Sequence, residues 1–477
     1  MGIGLHGGGL ETIRFLLRHG ATVTATDLQS PETLKIVTEE FDNTNIRFVL
    51  GKHDESDFRN TDLVIKNPAV RRNSTLLATA PAIATDISLY LLARNALNHT
   101  GPLIAITGTK GKSTTAGACA HLLQPDFPGV RLGGNITVSP LSFVDDMAPE
   151  APVVLELSSF QLGDLEFCRA HNTDETEWVP PLKPAVSVIT NIMHDHQNYY
   201  STMDEYVHDK TLVFHAQTPA DYAIFLADEY GRSFARSTRA KVFLCADGDD
   251  GDDGDGGSVF TESGASESCD DIAALLPAAL AIPGRHNRIN MRMAAIAAFT
   301  VGGRPETIRC AAGNFTGIPH RMELVGTVGG ITFVNDSAAT IPEATLATVR
   351  ALPAPVVLIA GGTDKALDIA AISDAGRAVA SIHLLEGSAT ERMRVRLDSE
   401  GIRYSGPYTD LVSALNGAWN VARMLAAETG TATIVLSPGA ASFGMFANEF
   451  DRGLQFRNAC ARYLGATGSS TNLSYAP

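Results

Sequence analysis

The segment Ile104-Ala-Ile-Thr-Gly-Thr-Lys-Gly-Lys-Ser-Thr114 constrains the fold of this chain more than any other stretch. A short apolar run enters a turn bracketed by Gly108 and Gly111, and Lys112 and Ser113 then open a helix. A strand that feeds a helix through a glycine turn is half of a βαβ unit, so the chain must build a parallel, helix-covered sheet. The same layout cradles phosphate. Backbone N–H groups across Gly108, Thr109, Lys110 and Gly111 face an anion, Lys112 reaches its terminal phosphates, and the Ser113 hydroxyl, with Thr114 beside it, sits where Mg²⁺ is ligated. The two glycines lie three positions apart, so the loop is shorter than G-x-x-x-x-G-K-[ST]. A glycine turn without a nucleotide has the same letters; Gly-Lys-Ser directly after a strand is the context that points to ATP.

At 477 residues there is room for about three domains. No run approaches 18 consecutive apolar residues and the N-terminus has no basic-then-apolar leader, so neither a membrane span nor a secretory signal is expected. Six cysteines (119, 168, 245, 269, 310 and 460) are scattered with no C-x-x-C pair, which reads as reduced cytosolic thiols in a cytoplasmic protein. A net charge of −16 argues against a nucleic-acid partner. Small anions are not excluded, because local lysines and helix N-termini bind them.

Strand and helix patterns alternate in three blocks, 1–100, 101–316 and 317–477. In the first, residues 11–19 are helical, 22–26 and 63–65 are strands, and 86–97 is an amphipathic helix. The second has strands at 152–157 and 185–192 and helices at 204–215 and 287–301. The third has strands at 331–334, 355–360, 382–385 and 433–436, after a linker at 313–319. The Asp- and Gly-rich stretch 246–271 lacks EF-hand spacing and reads as a solvated, flexible insertion. Gly2-Ile-Gly4-Leu-His-Gly7 looks like a dinucleotide-type turn whose feeding strand is missing, so a translation start further upstream is expected.

Five ordered motifs name a reaction: the loop Thr107–Ser113, Leu155-Glu-Leu-Ser-Ser-Phe-Gln-Leu162, Asn191-Ile-Met-His-Asp-His196, Gly284-Arg-His-Asn-Arg-Ile-Asn290, and His320-Arg321 followed by Asn335-Asp-Ser337. With Leu436-Ser-Pro-Gly-Ala-Ala-Ser442, they resemble the Mur ligases, ATP-dependent amide ligases of peptidoglycan precursor synthesis. The resemblance spans nearly the whole chain, except the acidic insertion and residues 172–183. It implies an α/β protein of three domains: an N-terminal Rossmann-like unit for the UDP group, a central P-loop ATPase, and a C-terminal Rossmann-like unit for the amino acid. The member most similar in its motifs joins D-glutamate to UDP-N-acetylmuramoyl-L-alanine. ATP phosphorylates the carboxylate, the amine attacks the acyl phosphate, and ADP and phosphate leave, so cations must neutralise the transferring group.

The resemblance also assigns roles. Lys112 holds the β- and γ-phosphates; Ser113, Glu156, His196 and a carbamylated Lys210 ligate Mg²⁺. Taken without it, Glu156 is equally a capped carboxylate, His196 an exposed loop histidine, and Lys210 a surface helix lysine. Asn287 and Asn290, three apart on one helix face, match the adenine side, although Asn287 also fits an N-cap. Arg321 matches an arginine that reaches ATP on domain closure, and Asp336 a ribose contact. Leu5, His6, Asp27 and Asn67 fall at the uridine diphosphate, and Asn135 at the muramoyl end. Thr340, Lys365, Ser442 and Phe443 fall at the incoming glutamate. The chain departs from the common pattern at Ala338, Gly444 and Asn448–Phe450, all around the amino-acid pocket. Two alternatives stay open: the same chemistry with L-glutamate or another amino acid, and a non-catalytic nucleotide-binding relative. A monomer is expected, with domains that close on one nucleotide.

Overall fold

The computed structural model describes residues 1–3, 8–32, 34–41, 44–135, 138–171, 179–193, 199–245, 259–260, 275–282, 285–364, 369–442 and 444–465. The chain divides between Phe315 and Thr316 into two units. The first carries three parallel or nearly parallel sheets. Strand β1 (Thr24–Asp27) pairs with β2 (Arg47–Leu50), and β3 (Val64–Ile65) with β4 (Ile83–Ala84). Residues 1–3 join the two pairs without being a strand. Gly2 N–H donates to the Thr26 carbonyl at 2.9 Å, the Met1 ammonium to Ile65 at 2.8 Å, and Asn67 N–H to Met1 at 3.0 Å. The helix Asp86–Ala96 begins with a reciprocal capping box between Thr85 and Ser88.

The large sheet of this unit contains β5 (Leu103–Thr107), β6 (Arg131–Gly134), β7 (Val153–Glu156), β8 (Val186–Ile189), β9 (Tyr222–Leu226), β10 (Lys241–Cys245) and β11 (Val259–Phe260). Their spatial order is β11-β10-β9-β8-β5-β7-β6, parallel throughout except for β11. Helices cover both faces of such a sheet, so its strands are continuous apolar runs; every residue of β5, β7 and β8 is buried. Sequence reading missed β2, β4, β6, β9 and β10. It also treated 246–271 as wholly irregular, whereas Val259 and Phe260 pair with Cys245 and Leu244; the rest of that stretch lies outside the described residues. The chain leaves β5 for the edge strand β6, returns through β7 beside β5, then passes to β8 on its other side. That reversal opens a crevice at the carboxyl ends of β5, β7 and β8, where open α/β sheets bind ligands.

The second unit is a six-stranded sheet: β12 (Glu323–Val328), β13 (Ile331–Asn335), β14 (Val356–Gly361), β15 (Ser381–Leu385), β16 (Ser405–Tyr408) and β17 (Ala432–Leu436). The order is β12-β13-β17-β14-β15-β16, with an antiparallel hairpin β12–β13 and parallel neighbours elsewhere. Alternate residues of β14 feed two cores. Val357 and Ile359 pack with the helices Leu411–Thr429 and Glu449–Leu464, while Val356, Leu358 and Ala360 pack with Ala370–Ala378 and Ser388–Ser399. Among the described residues, no helix is long and apolar enough to cross a membrane.

Candidate active site

The loop after β5 is held by side chains from distant segments. Gly108 has φ +139°, and a Cβ there would lie 2.0 Å from Thr190 Oγ1; Gly111 has φ +83°, and a Cβ there would lie 2.5 Å from Asn290 Oδ1. Both positions therefore require glycine. All three loop carbonyls accept hydrogen bonds: Gly108 O from Lys210 Nζ at 2.7 Å, Thr109 O from Lys112 Nζ at 2.9 Å, and Lys110 O from Thr190 Oγ1 at 2.6 Å and Asn191 Nδ2 at 3.0 Å. The Thr109 and Lys110 amides are also committed, to the Asn191 carbonyl and Oδ1 at 2.9 Å each. This corrects the expectation that those two amides face the anion. The cup lies one turn further on, where Gly111 caps the helix Lys112–Leu123 with no side-chain bond. There the first helical N–H groups have no partner within the helix. Lys112, Ser113 and Thr114 are half-buried around it.

Lys210 is not the surface lysine its sequence suggested. It is 1% exposed, its Nζ 4.7 Å from the centre of the Tyr206 ring, and the Tyr206 hydroxyl meets Thr109 Oγ1 at 2.9 Å. The helix Met203–Thr211 thus passes beneath the loop with Lys210 pointing up into it. Tyr206, Thr190 and the Asn191 carboxamide are the parts of this arrangement that sequence reading left unassigned. Asn191 was legible only as the first letter of its motif.

Glu156 ends β7 and is 1% exposed. Its Oε1 accepts from Asn135 Nδ2 at 3.1 Å, and its backbone carbonyl accepts Asn135 N–H at 2.7 Å. Gly134 (φ +99°) permits that turn, since a Cβ would lie 2.1 Å from the Glu156 carbonyl. Its Oε2 is buried with no hydrogen-bond partner among the described residues. A buried, orphaned carboxylate oxygen fits a cation. Among the described residues no three His, Cys, Asp or Glu side chains gather, so Glu156 needs help from other donor types. His196 lies outside the described residues, as do Leu5, His6, Lys365 and Phe443. Asn290 is buried against Gly111, whereas Asn287 is only half-buried, one turn back on the helix Arg285–Thr300.

On the substrate side of the first unit, Asp27 is buried and accepts the Ile3 amide at 2.7 Å and the Gln29 amide at 2.9 Å. A cavity of about 380 Å³ lies beside it, lined among others by Gly2, Thr12, Thr26, Asn67 and Asp86. Asn67 therefore faces the space, while Asp27 secures the turn next to it.

In the second unit, Arg321 is exposed between two non-glycine residues with positive φ, His320 (+66°) and Met322 (+45°). Such backbone persists only where its surroundings impose it. Asp336 imposes it. Buried, it accepts Met322 N–H at 3.1 Å, Thr348 Oγ1 at 2.6 Å and Ser437 Oγ at 2.7 Å. Burial raises its pKa against those bonds. Here Asp336 braces the arginine turn with Oδ1, while Thr348 and Ser437 hold its Oδ2. Burial also lowers His320 to about 4, so it sits neutral with Nδ1 3.0 Å from Asn335 Nδ2. The loops after β13, β14 and β17 interlock. Gly439 N–H donates to Ala339 at 2.9 Å, Gly361 N–H to Pro438 at 2.9 Å, and Thr363 and Ala441 exchange bonds at 2.9 and 3.1 Å. Thr340 and Ser442 thereby share one sheet edge, and the Ser442 Oγ is buried without a partner among the described residues. Arg452, which no sequence pattern marked, spans two of these loops through Ser337 and the Ala440 carbonyl.

Comparison with known proteins gives this geometry a context. Residues 106–298 match the family model described as the Mur ligase middle domain. The chain is 37% identical over 472 residues to the UDP-N-acetylmuramoylalanine–D-glutamate ligase of Borreliella afzelii, covering 96% of each chain. It is 35% identical to the enzyme of that name from Treponema pallidum and 36% identical to that from Roseiflexus, again over 96% of each chain.

Proposed function

The chain belongs to the Mur ligase family, and from that premise we propose that it joins D-glutamate to UDP-N-acetylmuramoyl-L-alanine with ATP, forming ADP and phosphate in peptidoglycan precursor synthesis. The observation that carries the reading is Lys210, a buried lysine whose ammonium nitrogen sits 2.7 Å from the carbonyl of the first loop glycine. A merely nucleotide-binding relative has no need of a second buried lysine beneath a loop that already holds Lys112.

Each residue then has a task. The helix start after Gly111, with Lys112, binds the polyphosphate and aligns the γ-phosphorus with the substrate carboxylate. Carboxylate oxygen attacks phosphorus as the bond to ADP breaks; the glutamate amine then attacks the acyl carbon, phosphate leaves and the amine loses its proton. Ser113, Glu156, His196 and a carbamylated Lys210 would hold Mg²⁺, which would supply charge neutralisation to this transfer. The orphaned Glu156 Oε2 supports that set. Asn290 and Asn287 border the nucleotide. The 380 Å³ cavity at Asn67 suits the UDP group, with Asn135 toward the muramoyl end. Thr340, Ser442, Lys365 and Phe443 receive glutamate. On this reading residues 1–100, 101–316 and 317–477 serve as three domains of a monomeric cytoplasmic enzyme.

Incubating the purified protein with ATP, Mg²⁺, UDP-N-acetylmuramoyl-L-alanine and either glutamate enantiomer tests the proposal. Phosphate release and a new amide with the D-form alone are expected. Product with the L-form alone refutes the choice of amino acid, and no product with either refutes the ligase.

A further inference from the structure

Beyond the loop, three buried charged side chains, Lys66, Asp164 and Asp209, gather with the half-buried Arg72. Lys66 and Asp164 have fully buried side chains and pair with one another. Arg72 Nε lies 3.3 Å from the second Asp164 oxygen, and its two terminal nitrogens fork onto both oxygens of Asp209. The Tyr200 hydroxyl donates to Asp209 at 2.8 Å. The set holds two positive and two negative charges, so each buried charge is compensated.

Its placement in the sequence is specific. Lys66 and Arg72 bracket the Asn67-Pro68 turn at the cavity. Asp164 lies on the helix Ser159–His171, which begins three residues after Glu156, and Asp209 immediately precedes Lys210. Gly163 shows how close the approach is. A Cβ there would lie 2.1 Å from Arg72 Nη2 and 2.3 Å from Asp209 Oδ2, so a glycine, unfavourable inside a helix, is what lets the ion pair cross it. Buried ion pairs are commonly replaceable by apolar residues with no loss of stability, so their presence says more about geometry than about stability. A guanidinium fork fixes the plane of the carboxylate it grips, and a lysine in its place does not.

We infer that Arg72 is a positioning residue for ligation: its fork on Asp209 sets the helix that carries Lys210 and ties that helix to the substrate turn at Asn67. The inference rests on the ligase reading, and wild-type protein in the same assay tests that reading separately.

The test compares Arg72→Lys, and the double variant Arg72→Met with Asp209→Leu, in which no charge of the pair is left alone to unfold the protein. Steady-state kinetics are measured for all three substrates, at a temperature where melting curves show every variant folded. Both variants are expected to lose about 10- to 100-fold in kcat, the scale of a small misplacement of a reacting group, with KM for ATP held within about threefold. A purely structural role would lower the melting temperature and leave kcat unchanged. If wild-type protein ligates D-glutamate and both variants keep kcat within twofold, or lose only KM for the UDP substrate, the inference is overturned. If wild-type protein makes no product, the ligase reading fails first.

Discussion

Substituting Gly108 by alanine should damage nucleotide binding far more than it damages the fold. The new Cβ would sit 2.0 Å from Thr190 Oγ1, with the Thr190 and Asn191 amide nitrogens at 3.0 and 3.1 Å, on a residue whose φ is +139°. Backbone strain of this kind costs about 1–3 kcal/mol, and overpacking about 1–3 kcal/mol more. If the unbound loop relaxes while the bound loop must return to this shape, the sum falls on binding and weakens it by roughly 30- to 10⁴-fold. Calorimetric titration with ADP or a non-hydrolysable ATP analogue reads this directly, with chemical denaturation in parallel. Adding Thr190→Ala removes the nearest atom but leaves the φ strain and the two backbone contacts. The double variant should therefore recover about tenfold and no more. Thr190→Ala by itself gives up bonds to Lys110 and Thr107, a modest loss of about 0.5–1.5 kcal/mol each. Analogue affinity within threefold of wild type in Gly108→Ala would refute the reasoning, because the loop would then tolerate a shape in which Thr190 has moved.

Lys210→Ala is expected to lower kcat by roughly 10²–10³-fold, the scale of losing one preorganised charge partner, with partial recovery on adding formate or acetate. Unchanged turnover would remove Lys210 from the chemistry, and a loss without rescue would remove the carbamate. Asp86 gives a pH signature. Burial lifts its pKa from 3.8 to about 6, and its Oδ1 has no partner among the described residues. The native state therefore holds more protons than the unfolded chain between about pH 4 and 6, and stability falls as pH rises through that window. Asp86→Asn should gain up to about 3 kcal/mol at pH 7.5 and nothing below pH 4, measured by denaturant titration. A gain of the same size at every pH would show that the cost at Asp86 is not one of ionisation, and no gain at pH 7.5 would show that Asp86 ionises in the native protein at little cost.

What the sequence made legible follows the range of the forces involved. The turn after β5 was readable because strand, glycines, lysine and helix start are contiguous, and local steric rules act on neighbours. The strands β9 and β10 were missed although Tyr-Ala-Ile-Phe-Leu and Lys-Val-Phe-Leu-Cys are apolar, because a short run buried on both faces carries no periodicity to separate strand from helix. Lys210 was misread for a different reason. Its own helix, Met-Asp-Glu-Tyr-Val-His-Asp-Lys-Thr, is polar, and what buries it lies 102 residues earlier at Gly108. The Arg72–Asp209 and Lys66–Asp164 pairs, 137 and 98 residues apart, were invisible on the same ground.

The short loop acquires a physical explanation from these long-range contacts. With only two residues between its glycines, the turn leaves its own backbone unsatisfied, and the segment after β8 supplies partners. Asn191 accepts from the Thr109 and Lys110 amides and donates to the Lys110 carbonyl, while Lys112 and Lys210 take the other two carbonyls. Every loop oxygen that would repel a phosphate is thus turned inward onto a donor, and two of those donors are lysine nitrogens. The segments that follow β8 hold the loop, and the helix bearing Lys210 meets it through the Lys210–Gly108 and Tyr206–Thr109 bonds, at 2.7 and 2.9 Å. A perturbation at Arg72 acts on the helix side of these bonds and is expected in kcat, whereas one at Thr190 acts on the loop side and is expected in nucleotide affinity.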